Sequence, residues 1–453
     1  MRKLVLTMLA TTALVAACGG SAATPAPTAA PTTAATAAPT AAPTPVPLSG
    51  TVRVLIHQNP PFVDFMTAFN KKFETAHPGV KVDMEVVNAN DLAAKAQTRL
   101  TAQDVDVVDV FAFDKAVQPF MKNVEAPGWQ KLIEAGLLMD ITDQAFVKNY
   151  DPASVADAGS FNGKTYAVNL GRVGYSGLYY NKDLFTANGV AVPTTWTELV
   201  AACATFKAKN IGCMTAGGKD GWPVFVGAYG LLGSAFPDQA ALVKGLWDGS
   251  IKYTDPAWLE LLKKYQTYDG AMMEAGASGI AGDGAPGRFV SGQVAMQAGG
   301  TWYAAAIDSL KPTFKWGYIP FPGSDTAADN KFMFGKYDQV WAIANDSANK
   351  DAAVAYLTEF SDPANYQAFV DAVGPIPTQP NAKLNSNLGA EVAPYLGTFK
   401  IGFENLWNGP KGTGQYATPM FANLFKPFGT FDDPAAAAAQ AQADLQSGLD
   451  AAK

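Results

Sequence analysis

Histidine and cysteine are scarce in this sequence: two histidines, His57 and His77, and three cysteines, Cys18, Cys203 and Cys213, in 453 residues. No His-Glu-x-x-His pair exists to hold a zinc ion, no Gly-x-x-x-x-Gly-Lys loop to cradle a phosphate, and no Gly-x-Ser-x-Gly elbow to raise a nucleophile. Runs of Lys or Arg are also missing, and the formal net charge is -7, which leaves no basic face for nucleic acid or an anionic lipid surface. After the first seventeen residues no stretch reaches the ~20 uninterrupted apolar residues that a membrane-spanning helix needs. What the chain does have is nearly half hydrophobic residues and a modest charged fraction, enough for one large or two medium cores. A soluble, two-domain body is the expectation.

The two ends of the first fifty residues carry their own signals. Arg2-Lys3 is a positive start, and Leu4 to Ala17 is an apolar run too short to span a bilayer, so residues 1–18 read as an export signal. Val15-Ala16-Ala17-Cys18-Gly19 resembles the bacterial lipobox, which makes Cys18 the expected lipidation site and new N-terminus. Residues 19–49 are almost entirely Ala, Pro and Thr and have nothing to bury. Such a tract is an extended tether, at ~3.1 Å per residue able to hold the body up to roughly 90 Å from its anchor. An exported chain meets an oxidising compartment, so Cys203 and Cys213, close in sequence, are expected to pair.

Thr51 to Ile56 is β-rich, and Phe62, Phe65, Met66, Phe69 and Phe73 follow at helical spacing until His77-Pro78-Gly79 stops the run. That stripe reads as core. A second alternating strand from Val80, a helix from about Asn90 to Gln103 and an apolar strand over Val105–Phe113 continue the alternation, which implies a mostly parallel, doubly wound α/β sheet. Ligands sit beyond the carboxyl ends of such strands, so Gln58, Asn59 and Asp114 become candidates by position. Thr195-Trp196-Thr197-Glu198 is a capping box opening a helix to about Lys209; further helices are expected at 256–265, 351–360 and from Asp433 onward. Trp316 to Pro320 reads as a strand and a candidate crossover between domains. Asp104, Asp106 and Asp109 cluster, but alternation turns Asp109 away from the other two, which argues against a metal site. Gly282 to Gly287 formally fits a dinucleotide fingerprint, yet no strand precedes it and Pro286 breaks the helix that should follow, so a flexible loop and no cofactor are expected.

Longer segments resemble the extracellular solute-binding proteins of ABC importers, in the sugar-binding group that includes maltose-binding protein. The resemblance rests on Phe161-Asn162-Gly163-Lys164-Thr165-Tyr166, on Tyr180-Asn181-Lys182-Asp183 followed by Thr195-Trp196-Thr197-Glu198-Leu199, on Phe289 to Met296 with Gly299-Gly300-Thr301-Trp302, and on Gly374-Pro375-Ile376-Pro377. It covers essentially the whole body, in the family's order. It implies two α/β lobes, each a doubly wound sheet, joined by hinge segments: residues 50–170 plus 318–362 in one, 171–317 plus 363–453 in the other. It also implies a receptor, not an enzyme, that closes on a solute and hands it to a membrane permease, acting as a monomer outside the cytoplasmic membrane. The chain departs from relatives at Leu170-Gly171-Arg172-Val173, where many have a proline, and the substrate is not inherited.

A sugar offers hydroxyls at its rim and weakly apolar faces, so it calls for planar aromatics and for Asp, Asn or Arg. The resemblance places Trp302 in the cleft and Tyr337 and Asp338 in a loop lining it, with Trp341 as core. Trp222, in a loop after a Gly-rich stretch, Trp407 and Arg172 complete the candidates, with half of a structural salt bridge the favoured reading of Arg172 over a ligand contact. Two rival readings stay open: a secreted glycosidase, which needs two carboxylates facing across the cleft, or the same receptor with a peptide, polyamine or metal chelate as cargo.

Overall fold

Strand β1 (Gly50–His57) is buried on both faces over Val54–His57 and leads through Gln58 and Asn59 into the helix Pro60–Ala76, whose Phe62, Met66, Phe69 and Phe73 are buried. The computed structural model describes residues 47–110, 114–417 and 424–453; the export signal, Cys18 and nearly all of the Ala/Pro/Thr tether lie outside them. Strands β2 (Val80–Val87) and β3 (Val107–Asp109) flank β1 in parallel, so the third strand is shorter than its apolar run. A two-residue hairpin, β4 (Ser160–Phe161) and β5 (Lys164–Thr165), leads into β6 (Ala167–Gly174). β7 (Gly177–Asn181), β8 (Gly212–Thr215), β9 (Val294–Ala298) and β10 (Trp316–Pro320) make a second sheet in the order β10-β7-β9-β8. β11 (Met333–Ile343) and β12 (Phe399–Ile401) return to the first sheet, ordered β12-β11-β3-β1-β2 with β6 also on β11.

Two lobes result, and their seam is β6 against β11. The pair runs antiparallel from Gly335 opposite Gly174 to Ala342 opposite Ala167. At one end Val168, Leu170, Trp341 and Ile343 enter the first lobe's core with Phe62, Tyr356 and Phe369; at the other Val173 and Phe334 enter the second. A third crossing joins them where Arg172 and Ile376 exchange backbone hydrogen bonds of 2.8 and 2.9 Å. Gln339 lies mid-strand with φ 54, a left-handed conformation costly for a residue with a Cβ, within the segment that connects the lobes.

Three boundaries expected from the sequence move. Trp316–Pro320 is the edge strand of the second sheet, paired with β7, rather than a crossover, so a border at 317–318 would cut it. The helix Pro363–Val373 buries Tyr366, Phe369 and Val370 against the Phe62 helix, so the first lobe runs on past 362. Tyr337 and Asp338 lie within β11 and not in a loop before it. Other features follow the sequence: the Thr195/Glu198 capping box is formed at the helix Trp196–Ala208, Cys203 and Cys213 are bonded with their Cα atoms 4.9 Å apart, and the helix Pro434–Ala451 packs Ala437, Ala438, Ala441 and Leu445 into the second core.

Candidate ligand cleft

Parallel strands present their carboxyl ends to one edge, and here that edge carries His57 at the end of β1, Gln58 and Asn59 after it, and Ala89 and Asn90 after β2. The seam adds Lys336 and Asp338, which alternation puts on one face of β11. The second lobe adds Trp222, Phe225 and Val226 from the first turn of the helix Trp222–Ala235, Asp283 and Pro286, Trp302 and Tyr303 at the start of the helix Tyr303–Ser309, and Tyr175 and Glu404 beneath. Together they line a cleft of about 260 Å³.

One wall is aromatic. The Trp302 ring lies 5.7 Å from Trp222, 5.5 Å from Tyr303 and 6.3 Å from Tyr175, centroid to centroid. Gly300 permits this, since a Cβ there would collide with the folded-back indole. Among the described residues Asp338 Oδ1 has no hydrogen-bond partner, only the charge of Lys336 Nζ at 3.3 Å, and Trp302 Nε1 and the Tyr303 hydroxyl have none beyond each other. Buried polar atoms without partners cost about 1–3 kcal/mol each, so the Tyr303 hydroxyl, which keeps hydrogen-bonding capacity beyond Trp302, and Asp338 Oδ1, both on residues lining one cleft, mark where a ligand's own polar groups would go.

The floor is a network of charge. His57 Nδ1 meets Asp109 Oδ2 at 2.6 Å. Burial opposes the imidazolium, but the hydrogen bond and field of Asp109, with Asp338 assisting and Lys336 opposing, raise its pKa. Asn405 Nδ2 donates to Asp114 at 2.6 Å while its Oδ1 accepts from Tyr175 at 2.8 Å. Burial pushes the Asp114 and Glu404 carboxyls up, with Lys336 pulling both back. Because the folded pKa of His57 is raised, its stabilisation is present in full below the unfolded value of ~6.5 and is lost as pH climbs through the folded value. Melting curves between pH 5 and 9, as an order-of-magnitude span about that pKa, should therefore show wild type losing stability on the alkaline side. His57→Gln should flatten that slope; an unchanged slope would assign it to other groups.

Of the sequence candidates, Gln58, Asn59, Trp222, Trp302 and Asp338 meet in the cleft. Trp222 does so as the first residue of a helix, not from a loop, and residues 282–290 form a tight turn and short helix where a flexible loop was expected. Asp114 lies behind the lining, engaged with Asn405. Arg172 and Tyr337, opposite each other on β6 and β11, line a separate cavity and not this one, and Arg172 has no salt bridge within the described residues. Trp407 stacks on Phe403 at 5.3 Å and packs near Trp247, away from the lining. His57, Tyr303, Lys336, Tyr175, Asp283 and Glu404 were not singled out. His57 ends a strand and Lys336 is two residues from Asp338, signals that a correct strand assignment exposes; Tyr175 and Glu404 arrive by tertiary folding alone.

Comparison with known proteins gives a consistent picture. Residues 59–367 match the family described as bacterial extracellular solute-binding protein. A multiple sugar-binding protein of Streptococcus mutans is 26% identical over 310 residues, 67% of this chain and 69% of that one. A melibiose/raffinose/stachyose-binding protein of Bacillus subtilis is 22% identical over 313 residues, 66% and 67% of the two chains. Among solved structures, the solute-binding protein RafE in complex with raffinose superposes with a TM-score of 0.70 at 21% identity, over 89% of this chain and 98% of that one. A chitin oligosaccharide binding protein gives 0.69 at 20% identity, over 89% and 99%.

Proposed function

The chain belongs to the bacterial extracellular solute-binding proteins, and from that premise we propose that it captures a mono- or oligosaccharide between its lobes and delivers it to an ABC permease. The observation that carries the sugar is the Trp302 wall: aromatic faces for the apolar side of a ring, with the Tyr303 hydroxyl and the Asp338 carboxylate for its rim. Family membership places the protein outside the cytoplasm. A lipid on Cys18, with residues 19–49 as tether, would keep it beside the permease.

Closing on cargo needs contacts from both lobes, since a ligand shifts an equilibrium only by its differential affinity for the two states. Asn59 and His57 supply one side, Trp222, Trp302 and Tyr303 the other, and Lys336 and Asp338 the hinge. Calorimetry against raffinose, melibiose, maltose, chitin oligosaccharides and single hexoses should give saturable binding to at least one, with the sugar recovered intact by chromatography. Polyamines and short peptides serve as the other arm. Binding there and not to sugars would move the cargo, and release of a hydrolysis product would replace the receptor with a glycosidase.

A further inference from the structure

Behind the hinge is a second cavity, of about 270 Å³, lined by Asp151, Ser154, Arg172, Tyr337 and the 377–380 segment and sharing no residue with the cleft. Strand alternation makes the two sites back to back: Lys336 and Asp338 face the cleft, while Tyr337 between them faces away, paired in register with Arg172 on β6. The third crossing closes the cavity and is tied to β6, where Thr378 Oγ1 donates to the Asn169 carbonyl at 2.7 Å and Tyr366 donates to the Leu170 carbonyl at 2.7 Å.

Arg172 is the unusual member. The other described arginines each hold a carboxylate: Arg53 with Asp106, Arg99 with Glu85 and Asp104, Arg288 with Glu274. No carboxylate of the described residues lies within 4.0 Å of the half-buried Arg172 guanidinium, which instead stands over the Phe399 ring at 5.0 Å. Stacking uses the flat face of a guanidinium and leaves its N–H edge open, the edge that matches an oxyanion bidentately. The acid of the lining, Asp151, stands beyond 4.0 Å of the guanidinium and accepts the Ser154 N–H through Oδ2 at 3.0 Å. The Tyr337 hydroxyl is a second polar group in the lining, turned toward Asp157 at 3.4 Å, a weak bond it can exchange.

We propose that this cavity is a binding site for a compact oxyanion, a carboxylate or a phosphate, held by the Arg172 guanidinium with the Tyr337 hydroxyl assisting. An anion there would bridge β6, β11 and the 377–380 crossing, the segments that must twist relative to one another when the lobes move. Its occupancy is therefore coupled to the cleft, and by linkage the cleft's cargo changes anion affinity by the same factor. The coupling rests on the capture reading above; the anion binding does not.

The test titrates inorganic phosphate, and in a parallel arm acetate, into the full chain against sodium chloride of matched ionic strength, following the thermal midpoint and calorimetric heat without sugar. The expected result is a saturable stabilisation by one or both oxyanions but not chloride, lost in Arg172→Gln and weakened several-fold in Tyr337→Phe. Sugar affinity is then measured with and without the anion, and is expected to change several-fold in wild type only. An absence of saturable response in wild type, or an equal response in R172Q, overturns the site. Should R172Q not fold, Arg172→Lys takes its place: loss of the bidentate edge should weaken phosphate several-fold, and an unchanged titration there overturns it too. Phosphate binding with no sugar binding anywhere would sink the capture reading and leave this site standing.

Discussion

Trp302→Ala is expected to weaken sugar binding by roughly 100-fold, the ~2–3 kcal/mol typical of a central aromatic anchor, while moving the unfolding midpoint little. The ring is only half-buried, so alanine opens space toward the cleft and not a closed void in a core. What it removes is the aromatic face between Trp222 and Tyr303 and the Nε1 donor, whose one partner among the described residues is the Tyr303 hydroxyl. Trp302→Phe separates the two, since it keeps a face and loses the N–H, and should fall between wild type and alanine. Calorimetry with the best sugar reads both variants. Alanine binding at wild-type strength would mean that the aromatic wall is packing between helices and that cargo sits elsewhere.

Trp341→Ala should do the reverse. This tryptophan is fully buried on β11, 4.9 Å from Phe360, 5.9 Å from a stacked Tyr356 and 6.1 Å from Phe62. Removing it leaves a cavity enclosed on all sides by the first lobe, and large-to-small changes of that kind cost about 3–5 kcal/mol. The expected readout is a lower denaturant midpoint, with the fraction still folded binding sugar close to normally, because no atom of Trp341 lines the cleft. A loss below ~1 kcal/mol would show that the lobe collapses around the gap. Two tryptophans 39 positions apart thus separate capture from stability.

How far the sequence could be read follows from the range of the interactions involved. The Phe62 stripe, the Thr195/Glu198 capping box, the Cys203–Cys213 pair and the strand-end position of Asn59 are local patterns, legible within a window of about a dozen residues. The resemblance puts Tyr337 and Asp338 in a loop, and their own sequence does not correct it, since Gly335 and the polar residues after it make a weak strand pattern that only pairing with β6 overrides. The Pro363–Val373 helix was assigned to the wrong lobe for a similar reason. Its apolar face states that it packs, and not on what.

By itself the sequence determined the alternation of strands and helices, the family to which they belong, and the residue types that suit a sugar. Only the tertiary structure decided which of those residues share a surface. The register of β6 on β11 turns Lys336 and Asp338 toward the cleft and Arg172 and Tyr337 to its back, and a shift of one residue would exchange them. Likewise Tyr175, Glu404 and Asp114 gather around Lys336 although up to 290 positions separate them. Side chains that far apart in the chain carry no local signal of their meeting; the packing of two lobes across three crossings brings them together.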